Sequence, residues 1–170
     1  MIDIKQYFKE GVLFNNWVIQ YIENDCLLKY KEHIVMVNTQ EEQQEMLDVN
    51  KEVFGDVFIG GLGYGLLPLV IQDNENVKSI TIVEKEEQLI EEVKKRVPFN
   101  KKIKIIHDDI FSYETQEMFD YIYLDIWFGD ERNQTKKEML QEYIDMEQKY
   151  IKKLKQEGII RLWNYNNIKN

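Results

Sequence analysis

The rhythm of apolar positions changes near residue 56. Upstream, β-branched and aromatic residues crowd into "VLFNNWVIQYI" and "LLKYKEHIVMVN", with "ENDC" as the turn between them. This pattern predicts an antiparallel hairpin or small sheet within residues 1–38. "TQEEQQEMLDVNKEVFG" then takes helical spacing through Met46, Val49 and Val53. Thr39 is placed to cap its start and Gly55 its end.

Downstream, short apolar runs alternate with helical stretches. "DVFIG", "SITIV", "IKIIH", "YIYLDI" and "IIRLW" read as five strands. "LLPLVIQ" reads as a helix that tolerates Pro68 in its first turn. "EKEEQLIEEVKKRV" aligns Leu89, Ile90, Val93 and Val97 on one side. A long helix is expected from Gln134 to Gln156, with Met139, Leu140, Tyr143, Ile144, Tyr150, Ile151 and Leu154 as its apolar stripe and Gly158 as its stop. The expected fold class is α/β: a doubly wound, mainly parallel Rossmann-like sheet of about five strands, with a β-hairpin ahead of it. Residues 1–38 would be the hairpin extension and 39–170 a nucleoside-binding domain, together one compact unit. Ligands are expected where the strands end.

Composition adds limits. The 170 residues are 44% hydrophobic and 31% charged, which suits a folded domain with a real core. No apolar run reaches the roughly 20 residues that span a bilayer, and the N-terminus lacks a signal-peptide core. A cytoplasmic protein without membrane contact is expected. Cys26 is the single cysteine, so internal disulfides and multi-cysteine zinc sites are excluded. His33 has no ligand at metal spacing, and His107 reads as structural, so no metal is expected. The formal charge of −9 argues against a broad phosphate-binding surface, and nucleic acid is not an expected partner. The lysines at 94–96 and 101–102 read as solvated faces.

Half of the chain's eight glycines, Gly60, Gly61, Gly63 and Gly65, stand together in "VFIGGLGYG". A dinucleotide fingerprint would need glycine where Leu66 stands, and a P-loop would need lysine at that same position. What remains is G-x-G-x-G, which serves a ligand or simply makes a tight turn. Acids follow at successive strand ends: Glu84, then Asp108 and Asp109, then Asp125, followed by Trp127 and Phe128. Strand starts carry none in this reading, which favours a ligand site over general solubility.

"VFIGGLGYG", "ITIVEK", "IKIIHDDIF" and "FDYIYLDIW" resemble the successive motifs of class I S-adenosylmethionine-dependent methyltransferases. The resemblance covers Asp56 to Trp163. It implies that Gly60, Gly61, Gly63 and Gly65 form the loop around the methionine part of the cofactor, and that Glu84 holds the ribose. Asp109 and Ile110 would contact the adenine, and Asp125 would lie beside the reacting sulfonium. Ile59 stands where most of these enzymes have an acid. That departure, with the "GG" loop and the N-terminal strands, resembles spermidine synthase-like proteins, often phage-encoded. The sheet is expected to lack the last strands of the full methyltransferase fold.

The implied chemistry is methyl transfer to an unidentified small acceptor, one that could carry an amine. Asp125 would orient the acceptor or take its proton, while Trp127 and Phe128 would line the substrate side. Aminopropyl transfer from decarboxylated S-adenosylmethionine is one alternative, with Asp125, Asp130 and Glu131 as its acids. A non-catalytic nucleoside-binding or partner-binding protein is another. Trp17 and Tyr21 leave a homodimer through the N-terminal hairpin open.

Overall fold

The computed structural model describes residues 2–127 and 135–164. Phe128, Asp130 and Glu131 lie outside the described residues.

Four antiparallel strands pair in sequence order near the start of the chain: β1 (Gly11–Phe14), β2 (Trp17–Ile22), β3 (Asp25–Tyr30) and β4 (His33–Asn38). Each expected long strand is thus folded in two. The polar pairs Asn15-Asn16 and Lys31-Glu32 make the extra turns, and Asn15, Glu23 and Lys31 take left-handed backbone with φ of 43°, 54° and 55°. The result is a four-stranded meander that buries Ile19, Cys26 and Leu28.

Helix α1 (Gln40–Glu52) starts at Thr39, whose hydroxyl accepts the Glu42 N–H at 3.2 Å. Its end differs from expectation: Val53 caps it, and Gly55 begins the next strand. Gly55 is needed there because its φ is +66° and a Cβ would lie 2.1 Å from the Asp120 carboxylate.

The remaining elements are β5 (Gly55–Gly60), α2 (Leu66–Ile71), β6 (Val77–Glu84), α3 (Glu87–Arg96), β7 (Ile103–His107), β8 (Phe119–Leu124), α4 (Lys136–Ile151) and β9 (Leu154–Leu162). Their strands form one parallel sheet in the order β7-β6-β5-β8-β9. Strand alternation divides the core between the two faces. Val57 and Ile59 pack with Met46 and Val49 of α1 and Leu89 and Val93 of α3. Phe58 points the other way, into a cluster with Tyr143, Met146 and Tyr150 of α4. Burying a side chain such as Phe58 or Ile80 contributes about 1.5–3 kcal/mol.

The last helix is shorter than the periodicity suggests. It ends at Ile151, and Leu154 already pairs with Phe119 as the first residue of β9. Gly158 lies in an irregularity of that strand, where the register slips between the pairs Phe119–Leu154 and Tyr121–Ile159. A Cβ there would crowd the Lys155 and Phe119 carbonyls at 3.0 and 3.2 Å. No described helix is long and apolar enough to cross a membrane.

Candidate functional site

The sheet delivers its polar strand ends to one place. Backbone bonds carry the ladder one residue past each strand: Gly61 N–H reaches the Val83 carbonyl at 2.9 Å, Asp125 N–H the Gly60 carbonyl at 2.9 Å and Trp163 N–H the Leu124 carbonyl at 2.9 Å. A cavity of about 680 Å³ opens above them. Gly61, Gly63, Glu84, Asp109, Ile110, Asp125 and Trp127 all line it. Its opposite wall is the N-terminal meander, through Trp17, Tyr30, Val35 and Met36.

The glycines divide into two kinds. Gly61 (φ +91°) lies so close to the Asp125 backbone that a Cβ would sit 2.2 Å from its carbonyl oxygen. A Cβ on Gly63 (φ +51°) would meet the Met36 sulfur at 2.5 Å. Gly60 and Gly65 do not line the cavity. Gly60 faces Leu124 and Ile110, and Gly65 opens α2 in left-handed backbone against Phe99 and Val93. The protein's own packing accounts for all four glycines, and of these Gly61 and Gly63 also line the cavity.

Glu84 ties the loop down. One of its carboxylate oxygens accepts the Leu62 N–H at 3.0 Å and the other the Glu86 N–H at 2.9 Å. Lone pairs remain for a ligand, since each oxygen accepts more than one bond. Asp109 uses one oxygen to accept the Phe111 N–H at 2.9 Å, and Ile110 is buried beside it. Trp127 is buried, with one ring face stacked on Tyr143 at a centroid distance of 3.6 Å. Its indole N–H has no hydrogen-bond partner among the described residues.

Burial, followed by repulsion from Glu42 and Glu45, pushes the Asp125 carboxyl up to about 7. Those two glutamates also line the cavity, and no motif pointed to them. Their signal was present all the same: three residues apart on a predicted helix places them on one face. Glu42 is itself raised, by burial first and then by Glu45.

The strand starts are not free of acids, contrary to expectation: Asp56 stands in β5 and Asp120 in β8. They are held in a tight ionic cluster, with Lys155 Nζ at 2.6 Å from Asp56 and 2.8 Å from Asp120. Position on the strand therefore does not separate ligand-facing acids from structural ones; Asp56 and Asp120 are marked as structural by the Lys155 ammonium they share.

Comparison with solved structures defines the fold as that of class I S-adenosylmethionine-dependent methyltransferases. The N-methyltransferase NodS from Bradyrhizobium japonicum WM9, in complex with S-adenosyl-L-homocysteine, superposes with a TM-score of 0.54 at 17% identity, covering 72% of this chain and 60% of its own. Coclaurine N-methyltransferase bound to N-methylheliamine and SAH gives 0.52 at 22%, covering 74% and 36%. Trm5b from Pyrococcus abyssi gives 0.55 at 13%, covering 85% and 39%. The chain thus spans less than two thirds of each neighbour's length. No curated protein matches it.

The family model for ribosomal RNA adenine dimethylase matches residues 57–151, and the chain belongs to that family of S-adenosylmethionine-dependent methyltransferases. The spermidine synthase-like placement, and the phage origin that goes with it, find no support in these matches. The family's name also removes the force of the charge argument against nucleic acid, because whole-chain charge does not report on a local site.

Proposed function

We propose that the chain binds S-adenosylmethionine in the 680 Å³ cavity and transfers its methyl group to a small-molecule acceptor. The observation that carries this reading is the convergence of Gly61, Gly63, Glu84, Asp109 and Asp125 on one cavity from the ends of four neighbouring strands. The residues present fit a nucleoside joined to an amino acid. Glu84 keeps lone pairs for ribose hydroxyls, Asp109 and Ile110 offer a polar and an apolar contact for the adenine, and the Gly61–Gly63 turn lines the cavity beside them. Bound there, S-adenosylmethionine would supply an electrophilic methyl carbon on a sulfonium, and Glu84, Asp109, Ile110 and the Gly61–Gly63 turn are the residues that would hold it.

The protein's own contribution is placement and proton handling. The meander walls one side of the cavity, which reduces its contact with bulk water and strengthens charge interactions inside it. Asp125 stands at the cavity wall as the group that orients the acceptor or takes its proton.

A second reading follows from the family: an adenine base of RNA as acceptor. The base is neutral and would enter the acid-lined cavity while phosphates stayed outside. Titration calorimetry with S-adenosylhomocysteine tests the shared premise, and micromolar binding is expected. Methyl transfer to a ribosomal RNA transcript, with none to small acceptors, would replace the first reading by the second. No binding of S-adenosylhomocysteine would overturn both.

A further inference from the structure

Glu42, Glu45 and Asp125 bring three carboxylates to one cavity. The protein partly answers two of them. The nearby Trp163 indole favours the ionised form of Glu42, and Tyr123 donates to Glu45 at 3.2 Å. The cation nearest Glu45 is Arg161, at 4.0 Å, and it also bonds Glu52 at 2.9 Å. No described residue donates a hydrogen bond to the Asp125 carboxylate, which lines the cavity together with Glu42 and Glu45. Gathering acids in this way works against folding, because burial and mutual repulsion both penalise the ionised forms. A positively charged ligand would relieve both penalties at once.

The lining narrows the kind of cation. Trp17, Tyr30, Trp127 and Trp163 stand around the same cavity, and aromatic faces favour organic cations. Among the described residues, no group of three His, Cys, Asp or Glu side chains is arranged to hold a metal ion.

We infer that the α1 side of the cavity is a subsite for an acceptor bearing a primary or secondary ammonium on an aromatic body, with Glu42 and Glu45 holding the charge and Asp125 receiving its proton. This rests on the methyl-transfer reading above. The proton step balances within the site: the ammonium gives one proton to the Asp125 carboxylate, leaving a neutral amine with a free lone pair and a neutral carboxyl. A carboxyl raised to about 7 is matched to that exchange near neutral pH.

The test compares 2-phenylethylamine with its uncharged counterpart 2-phenylethanol by calorimetry, on the free protein and on the S-adenosylhomocysteine complex. The amine should bind both forms and the alcohol should bind neither appreciably. Glu42→Gln and Glu45→Gln should each weaken the amine about tenfold, the effect of losing a charge-assisted hydrogen bond. S-adenosylhomocysteine affinity should stay within about twofold on the same grounds. Glu41→Gln, on the exposed side of α1, should change nothing. Equal binding of amine and alcohol would overturn the inference. So would an equal loss of S-adenosylhomocysteine affinity in the glutamine variants, which would assign the acids to the amino group of the cofactor. Failure of S-adenosylhomocysteine to bind any form, with the amine still bound, overturns the methyl-transfer reading alone.

Discussion

Asp120 and Asp125 bracket a single strand, β8, and their carboxyls are driven in opposite directions. Burial alone would raise Asp120, but the Lys155 ammonium and the Asp56 N–H at 2.7 Å outweigh it and hold it below the ordinary carboxylate range. At the other end, burial acts on Asp125 together with Glu42 and Glu45, and nothing opposes it. The lower end of the sheet is thus electrically closed, with Lys155 shared by two aspartates. The upper end is left in deficit of positive charge. Proteins keep such unfavourable arrangements chiefly where a ligand or a reaction uses them.

Substitutions at each end should separate a working deficit from a structural closure. Asp125→Asn has the largest expected effect: methyl transfer should fall by about 10²–10⁴ while S-adenosylhomocysteine binding survives, as measured by turnover and calorimetry. Full turnover in this variant would end the role assigned to Asp125. Glu84→Ala removes the acceptor of two loop amides as well as the ribose contact, and affinity for S-adenosylhomocysteine should drop about 100-fold. Unchanged affinity would place the ribose elsewhere.

The closed end answers in stability alone. Lys155→Met leaves Asp56 and Asp120 facing each other, and urea unfolding should show a loss of about 1–2 kcal/mol with cofactor affinity intact. Asp125→Asn should do the reverse and stabilise by about 1 kcal/mol, since it removes a carboxylate that folding disfavours. The pH dependence carries the same signature. Folded Asp125 keeps its proton from its ordinary value of 3.8 up to about 7, so its contribution to stability falls as pH rises through that window. Asp56 and Asp120 are lowered, so theirs is present above their ordinary values and is lost on acidification. Asp125→Asn should therefore flatten the stability profile between about pH 4 and 7, and Lys155→Met the acid limb below it.

Gly63→Ala should have the smallest effect, about 1 kcal/mol by thermal unfolding: its left-handed backbone sets the cost, and the Met36 thioether that a Cβ would meet can rotate aside. A loss several times larger would mean that this loop is held more rigidly than Met36 allows.

The parallel sheet was legible because its strands are buried on both faces and read as short apolar runs, as in "SITIV" and "YIYLDI". The glycine loop and the strand-end acids were legible for a related reason: they stand directly after those runs. The meander was under-read because Asn15-Asn16 and Lys31-Glu32 carry no glycine or proline, the usual marks of a turn. Gly55 and Gly158 looked like helix stops, whereas each serves a close approach between strands that only the folded chain reveals. Glu42 and Glu45 were hidden for a different reason. On an isolated helix they look like solvated charges, and only the packing of α1 against the upper end of β8 turns them inward.

Tyr64 sits between the two sheets with no exposed surface. Its ring packs on Phe8 at 5.2 Å, its hydroxyl accepts the Cys26 thiol at 3.3 Å, and its N–H points at the Met36 sulfur at 3.4 Å. The wall of the cavity and the loop at its floor thus share one buried side chain. In the language of folding cooperativity, the meander cannot open without stripping Tyr64 and loosening the Gly61–Gly65 turn with it. Hydrogen exchange at Leu28, in the middle of the meander, should then slow in step with exchange at Leu62 when a ligand fills the space between them.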